Sequence, residues 1–477
     1  MMNFSVKWAS VLGLVFLAFA ETLAAVTTVD WVTYRIGVNV TDTSRVDGIQ
    51  LSIAPLKYNK DWAIAFTGDD GHVGFYSYLQ RYANNRFTST RKTAFLYGND
   101  KGYYYHDESD APYRQGIYAG EYKGATDGCG NVVPFRFGVA PMNVWVPARG
   151  GELNPYISEG ELQTFSDFGG GVYCHESGTS QEPYTSIRAN LDFLKQKLSL
   201  YPTVEVRPNG DNRYIEAAYA LPEIRCCVTD GGYQTYPQDG LDLRRNDLKL
   251  AKLAFPRTFG LDKAKANTLA MKRSGALVHF GTHEFCADSV PTFCQDYLEW
   301  LFRTYGAKGD DSVWPATIDE IWQYNYLKQN TTIIRSISKV SDGPGAKPGT
   351  KVFFDITIAD DPAFRFKELS FLISGITVTD DIRIYGKTVT QSMANHGTAV
   401  LLNLGWNDQD IRLAEKYTSI AEAKAREPYA SDYAADAQFF INRLKPSLRQ
   451  PYMDRLRSPG AKKTISAESM EENLRTN

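Results

Sequence analysis

Two adjacent carboxylates, Asp69 and Asp70, follow a short apolar run and lie between Gly68 and Gly71. Further along, His175 and Glu176 follow Gly170-Gly-Val-Tyr-Cys174, and Arg207 follows Thr203-Val-Glu-Val206. Asp230 comes just after Glu223-Ile-Arg-Cys-Cys-Val228, and His283 ends Ala276-Leu-Val-His-Phe-Gly-Thr-His283. Glycoside hydrolysis needs carboxylates on opposite sides of one bond, usually from separate elements, whereas neighbours on an extended backbone point in different directions. Two adjacent acids suit a division of labour instead. One binds a divalent metal, and the other, kept ionised by a nearby Arg, takes a proton from water activated by that metal. A His with an ordinary pKa near 6.5 can then protonate the leaving group. Asp-Asp-Gly is also a common turn sequence, and a single strand-end polar residue can be a loop cap. The weight rests on the joint pattern, in a chain with only 6 His.

Strand-end residues converge only if the strands run side by side in one direction. From about Asp61 to Asn330 strand-like and helix-like segments alternate, which predicts parallel strands joined by crossover helices. Expected strands are Asp61–Thr67, Gly170–Cys174, Thr203–Val206, Glu223–Val228 and Ala276–Phe280. Expected helices are Val73–Arg86, Thr185–Leu200, Tyr214–Ala220, Leu241–Ala254, Leu261–Arg273, Pro291–Tyr305 and Ile318–Gln329. This length and count predict an α/β fold closed, or nearly closed, into a barrel, whose functional residues gather at the C-terminal strand ends. A doubly wound open sheet is the alternative, but no Gly-rich dinucleotide turn supports it.

An aromatic- and Gly-rich stretch, 87–160, interrupts the alternation and reads as an insertion able to build a substrate groove. After Asn330, strand patterns at Thr332–Val340, Lys351–Ile358, Glu368–Ile373 and Ala399–Asn403, with turns between them, read as a small β-sandwich. Helical spacing in Ile411–Ala425 and Tyr433–Leu444 forms a tail that ends in a polar, disordered stretch beyond Ser458.

Lys7 precedes the apolar run Ala9–Ala20, with small residues offering cleavage after Ala20 or Ala25. This is the pattern of a secretory signal peptide, and the run is shorter than the roughly 20 residues that span a bilayer. The expectation is a secreted or periplasmic protein without a membrane span. Its six cysteines are compatible with disulfides of unassigned pairing. Lys plus Arg number 52 and Asp plus Glu 55, a net charge of −3. That balance excludes a dedicated nucleic-acid binder, which needs a positive excess. A chain rich in aromatics, with 29 Tyr, 25 Phe and 8 Trp, suits a glycan partner held by stacking and hydrogen bonds.

Trp62-Ala-Ile-Ala-Phe-Thr-Gly-Asp-Asp-Gly71 resembles the Thr-Phe-Asp-Asp-Gly motif of the polysaccharide deacetylase superfamily, the NodB-homology or carbohydrate esterase family four group. Val206-Arg-Pro-Asn-Gly-Asp211 is similar to its Arg-Pro-Pro-Tyr-Gly segment, and Leu277-Val-His-Phe-Gly-Thr-His283 to its late strand ending in a catalytic His. Val313-Trp-Pro-Ala-Thr-Ile-Asp-Glu-Ile321 is similar to its closing segment. The resemblance covers about residues 55–330. It implies a distorted (β/α)7-type barrel and metal-dependent removal of N- or O-acetyl groups from a polysaccharide substrate. It makes Asp69 the general base, Asp70 and His175 metal ligands, Arg207 the group that orients and charges the base, and His283 the general acid. His279 is the alternative acid, although it lies earlier in the strand and suits a core position better.

The organisation expected is then a signal peptide (1–25), a leader (26–54), the barrel (55–330), a C-terminal β-sandwich module (331–407) and a helical tail (408–477). The expected cofactor is a divalent metal, zinc, with one ligand missing. The family's second motif carries His at i and i+4, whereas here His175 is followed by Thr179. Thr179, Glu176 or His72 are the candidates to complete the site. Two competing readings follow: a catalytically impaired carbohydrate-binding protein on the same barrel, and a glycoside hydrolase.

Overall fold

The computed structural model describes residues 30–85, 88–89, 116–117, 120–148, 156–179, 181–230, 249–254, 260–274, 277–283, 292–339, 350–426 and 430–457. The expected signal peptide and the end of the tail lie outside the described residues. In chain order the strands are β1 (Asp30–Val40), β2 (Gln50–Ile53), β3 (Trp62–Asp70), β4 (Thr88–Ser89), β5 (Gly116–Ile117), β6 (Gly124–Thr126), β7 (Val132–Pro134), β8 (Gly138–Pro141), β9 (Gly171–Val172) and β10 (Val204–Val206). They continue with β11 (Cys226–Asp230), β12 (Lys249–Ala254), β13 (Leu277–Thr282), β14 (Val313–Pro315), β15 (Thr331–Lys339), β16 (Thr350–Asp360), β17 (Glu368–Ser374), β18 (Asp381–Tyr385), β19 (Thr390–His396) and β20 (Ala399–Gly405).

The strands that carry the expected site residues form one parallel path, β10-β11-β12-β13-β3-β8-β9, with β14 pairing the first residues of β3. The two outer strands of that path also meet. Just past β9, the Cys174 N–H donates to the Val204 carbonyl at 2.8 Å, and the Val206 N–H donates to the Cys174 carbonyl at 2.9 Å. β3 is buried at all nine positions, as a parallel strand covered on both faces must be. Its side chains alternate between two clusters with the period of two that a strand imposes. Ala63 and Ala65 join Val204, Val206, Val228 and Trp314, while Trp62, Ile64 and Phe66 join the helix side chains Phe165, Leu194, Met271 and Leu301. The helix Pro183–Leu198 shows why these residues coil there. Proline begins it, Ser199 ends it in a left-handed conformation, and Ile187, Asn190, Leu191, Leu194 and Leu198 form its buried stripe.

Three local expectations need correction. Residues 249–254, expected to end the helix Leu241–Ala254, form strand β12 between β11 and β13; residues 241–248 lie outside the described set. Lys-Leu-Ala-Lys-Leu-Ala is made of good helix formers, and two parallel neighbours override that preference. The stretch 87–160 is not wholly an insertion, because Gly138–Pro141 is a strand of the main path. Four residues with Gly at one end and Pro at the other carry too little periodicity to be read. Within Val73–Arg86, Phe75–Gln80 adopts a π-helical turn before a short α-helical segment, Arg81–Ala83.

Of the remaining strands, eight make two four-stranded antiparallel sheets, β15-β16-β1-β18 and β19-β20-β17-β2, and β4-β5 and β6-β7 are two-stranded antiparallel ribbons. The expected leader segment supplies a strand to each four-stranded sheet, and β1 pairs with β16 from Asp30↔Asp360 to Val40↔Thr350. β16 alternates buried and half-buried positions along most of its length, the pattern of a sheet with one covered face. Ile36, Phe354 and Ile356 from one sheet and Phe371, Leu402 and Leu404 from the other belong to one buried cluster. Helices Asp408–Ala423, Ala430–Arg443 and Pro446–Arg457 follow, with Tyr417, Phe439 and Phe440 gathered around Phe168. Among the described residues no helix is long and apolar enough to cross a membrane. Cys129, Cys174, Cys226, Cys227 and Cys294 are not joined by disulfides, and Cys286 lies outside the described residues.

Candidate active site

β3 delivers both carboxylates. Asp69 and Asp70 are its last two residues and both are buried. Asp70 (φ +65°) and Gly71 (φ +74°) are both in the left-handed region, which ends the strand at this point and costs about 1–2 kcal/mol at the aspartate. Glycine is required at 71 for a second reason. A Cβ there would lie 2.8 Å from Pro141 Cβ and 2.9 Å from Pro141 Cα, at the end of β8 directly opposite Asp70. Gly71→Ala must therefore push β8 away from β3 and is expected to cost about 1–3 kcal/mol, read as a lowered Tm in thermal unfolding.

His175 lies three residues past the end of β9 and is 3% exposed. Its Nδ1 is 2.6 Å from the Val206 carbonyl, and its Nε2 is 3.3 Å from Asp70 Oδ1. The Asn190 side chain accepts from its backbone N–H at 3.2 Å. A ring nitrogen that donates to a backbone carbonyl fixes the tautomer, so Nε2 is the nitrogen turned to Asp70. His283, one residue past β13, brings its Nε2 to 3.9 Å from the other Asp70 oxygen, Oδ2. Unlike His175, its side chain is 45% exposed.

Burial alone would push the Asp70 carboxyl up, but the hydrogen bond and charge of His175, with His283 and His72 nearby, hold it below the usual range. Burial alone would push His175 down, and its hydrogen bond to Asp70 with the charges of Asp69 and Asp70 raises it instead.

All five residues expected from the sequence, Asp69, Asp70, His175, Arg207 and His283, line one cleft of about 720 Å³ at the C-terminal ends of the parallel strands. Arg207 follows β10 and donates to Asn212 Oδ1 at 2.8 Å. His279 does not line this cleft; it lies within β13, buried, with Nε2 2.8 Å from the Thr67 hydroxyl of β3. Met142, Trp145, Gln181 and Tyr214 complete the walls without having been singled out from the sequence. Met142 and Trp145 come from the stretch expected to build a substrate groove, and Trp145 stacks on Tyr156 at 4.7 Å. For Tyr214 the only sequence signal was its place just after the Arg207 loop.

In the neutral tautomer set by Val206, the His175 Nε2 and Asp70 Oδ1 are both acceptors, facing each other at 3.3 Å. Such a pair is satisfied by an extra proton or by a cation shared between them. Two ligands of one tetrahedral ion with bonds of about 2 Å lie about 3.3 Å apart, so Asp70 and His175 fit as two ligands. Among the described residues no group of three His, Cys, Asp or Glu side chains is arranged to hold a metal. Of the candidates to complete the set, Thr179 bonds the Ser177 hydroxyl at 2.7 Å and Glu176 accepts from the Tyr214 hydroxyl at 2.8 Å. His72 lies against the Tyr156 ring, 5.1 Å between centroids.

Comparison with known proteins adds one match. The model of a family described as "putative polysaccharide deacetylase" matches residues 201–457, more than half of the chain. The matched segment includes Arg207 and His283, while Asp69, Asp70 and His175 precede it. No curated protein matches the chain.

Proposed function

Because the chain belongs to the polysaccharide deacetylase family, we propose that it is an exported hydrolase that removes N- or O-acetyl groups from a polysaccharide. The observation that carries this reading is the Asp70 carboxylate, placed between a buried His175 and a half-exposed His283 in a cleft that Asp69 and Arg207 also line. The parallel path whose outer strands meet supports reading it as a distorted (β/α)7 barrel, and the shared cluster between the antiparallel sheets supports a β-sandwich.

Asp70 and His175 are the residues that would hold a divalent metal, zinc by their oxygen and nitrogen donors. Such an ion supplies Lewis acidity for the acyl carbonyl and for water. The chain's own residues do the rest. Asp69 takes the proton of the attacking water, and Arg207 lines the same cleft as the group to orient it. His283, exposed enough to reach a substrate, donates a proton to the departing nitrogen or oxygen. Trp145 offers a flat apolar face at the wall against which a sugar ring can lie. Export rests on the signal-peptide pattern of residues 1–25.

The test is acetate release from acetylated glycans. The expected result is release that stops with a chelator and returns with added zinc. Activity indifferent to chelator would overturn the metal role, and new reducing ends without acetate would replace it with glycoside hydrolysis. A second reading is favoured by Thr179, which stands where the resemblance has a second His and is bonded to Ser177. On that reading the chain binds glycan without turning it over, and saturating zinc would leave the site unloaded.

A further inference from the structure

A second and larger cavity, about 1210 Å³, lies where the parallel sheet, the antiparallel sheets and the C-terminal helices come together. Its walls include Gly169 and Ser199–Tyr201, which precede β9 and β10, so it opens at the N-terminal ends of those strands. The candidate active site sits at the opposite ends. We propose that this cavity is an accessory binding site for a neutral oligosaccharide segment of the polysaccharide. The choice of sugar as ligand rests on the deacetylase reading; the existence of a ligand site rests on the following geometry.

Two large aromatic side chains are presented to solvent at this cavity, Trp31 (62% exposed) and Tyr201 (52% exposed). Deeper in the wall, Trp406 is 7% exposed and lies 6.0 Å from the Tyr34 ring. Its indole N–H is buried and, among the described residues, has no hydrogen-bond partner. The Asp360 Oδ1 atom of the same wall is in the same state, while its Oδ2 accepts from Lys367 at 2.9 Å. Both atoms are shielded from solvent, so the surface open to a ligand is the one that Trp31 and Tyr201 present. A sugar hydroxyl is donor and acceptor at once, and the apolar face of a pyranose ring suits an exposed indole or phenol.

Charge argues for a neutral sugar. Of the five cations in its walls, Lys367, Lys387, Arg443 and Arg365 are already paired with Asp360, Asp408, Asp410 and Asp319 at 2.9, 2.8, 3.0 and 3.3 Å, and Arg412 bonds the Gln409 side chain at 2.8 Å. An anionic glycan would have to break an ion pair to reach any of them but Arg412. The volume is ample, since sites for small ligands are typically about 300–1,000 Å³ and form preferentially between domains.

The experiment is calorimetric titration of the full chain with neutral hexasaccharides of acetylglucosamine, glucose, xylose and mannose, alongside acetate release from a small soluble acetyl ester. Trp31→Ala combined with Tyr201→Ala should weaken binding of the recognised hexasaccharide at least tenfold while leaving Tm and turnover of the small ester unchanged. Trp145→Ala, in the other cleft, should leave this binding in place. The proposal is overturned if none of the four sugars binds, if the double variant binds as tightly as the parent, or if Trp145→Ala abolishes all binding. Trp31-dependent binding without any acetate release would sink the deacetylase reading alone. Acetate release with sugar binding indifferent to Trp31 and Tyr201 would sink the accessory site alone.

Discussion

Asp70→Ala is expected to abolish acetate release together with metal loading, whereas Asp69→Asn should lower release by about 10²–10⁴-fold and leave the metal content unchanged. The two carboxylates are adjacent in sequence, but Asp70 has one oxygen 3.3 Å from His175 and the other 3.9 Å from His283. Removing it takes away a proposed metal ligand and leaves two histidines without the charge they face. Asp69 lines the same cleft and is assigned the proton transfer, so an amide of the same shape should cost rate alone, about 3–5 kcal/mol in the barrier. Elemental analysis of both purified variants, with turnover at saturating zinc, separates the roles. Full activity in Asp70→Ala, or loss of metal in Asp69→Asn, would reverse the assignment. Circular dichroism should show both variants folded.

The second large effect belongs to a buried charge cluster remote from that chemistry. Lys57, between β2 and β3, places its ammonium 2.9 Å from both Glu320 and Glu368, and Arg136 bonds the other Glu320 oxygen. Glu320 is fully buried on the helix Ile318–Gln329, while Glu368 begins β17. The cluster therefore ties the parallel sheet to the antiparallel ones. Glu320→Gln leaves two buried cations short of a counter-charge and is expected to cost about 3–5 kcal/mol. Arg136→Met added to it should recover part of that loss, because Arg136 is the cation left without a carboxylate partner while Lys57 keeps Glu368.

The pH dependence has a definite sign. Burial alone would raise the Glu320 carboxyl, but Arg136 and Lys57 outweigh it and hold it down at about 2, against an ordinary 4.5. A depressed carboxyl stabilises the fold above its unfolded value, and the contribution is lost as pH falls. The Tm of the parent should thus fall between about pH 4.5 and pH 2 more steeply than that of Glu320→Gln, which carries no proton-binding group there. Parallel pH–Tm curves for the two proteins would rule out this cluster as the source.

How much could be read in advance depended on the kind of interaction. β3 was legible because a strand buried on both faces must be a continuous apolar run, and β16 because one covered face forces alternation. β12 was misread because its composition favours a helix, and only its neighbours β11 and β13 make it a strand. β1 went unassigned because its partner, β16, lies some 320 residues further along the chain, and nothing local announces such a pairing.

For the site, the sequence alone determined the reactive residue types and their order: the Asp69-Asp70 pair, His175, Arg207 and His283 at successive strand ends. A parallel strand order brings such ends to one rim, so a motif read on one strand end also places the others. The tertiary structure decided what no spacing encodes. It set the 3.3 Å approach of His175 to Asp70, the tautomer fixed by Val206, and the cleft walls of Met142, Trp145 and Tyr214. It also joined Lys57 to Glu320 across 263 positions and gathered Trp31, Tyr201 and Trp406 around a second cavity. The physical reason is range. Residue type and strand periodicity are local properties of the chain, while ligand distances, buried charge pairs and cavities depend on segments that meet only when the chain is packed.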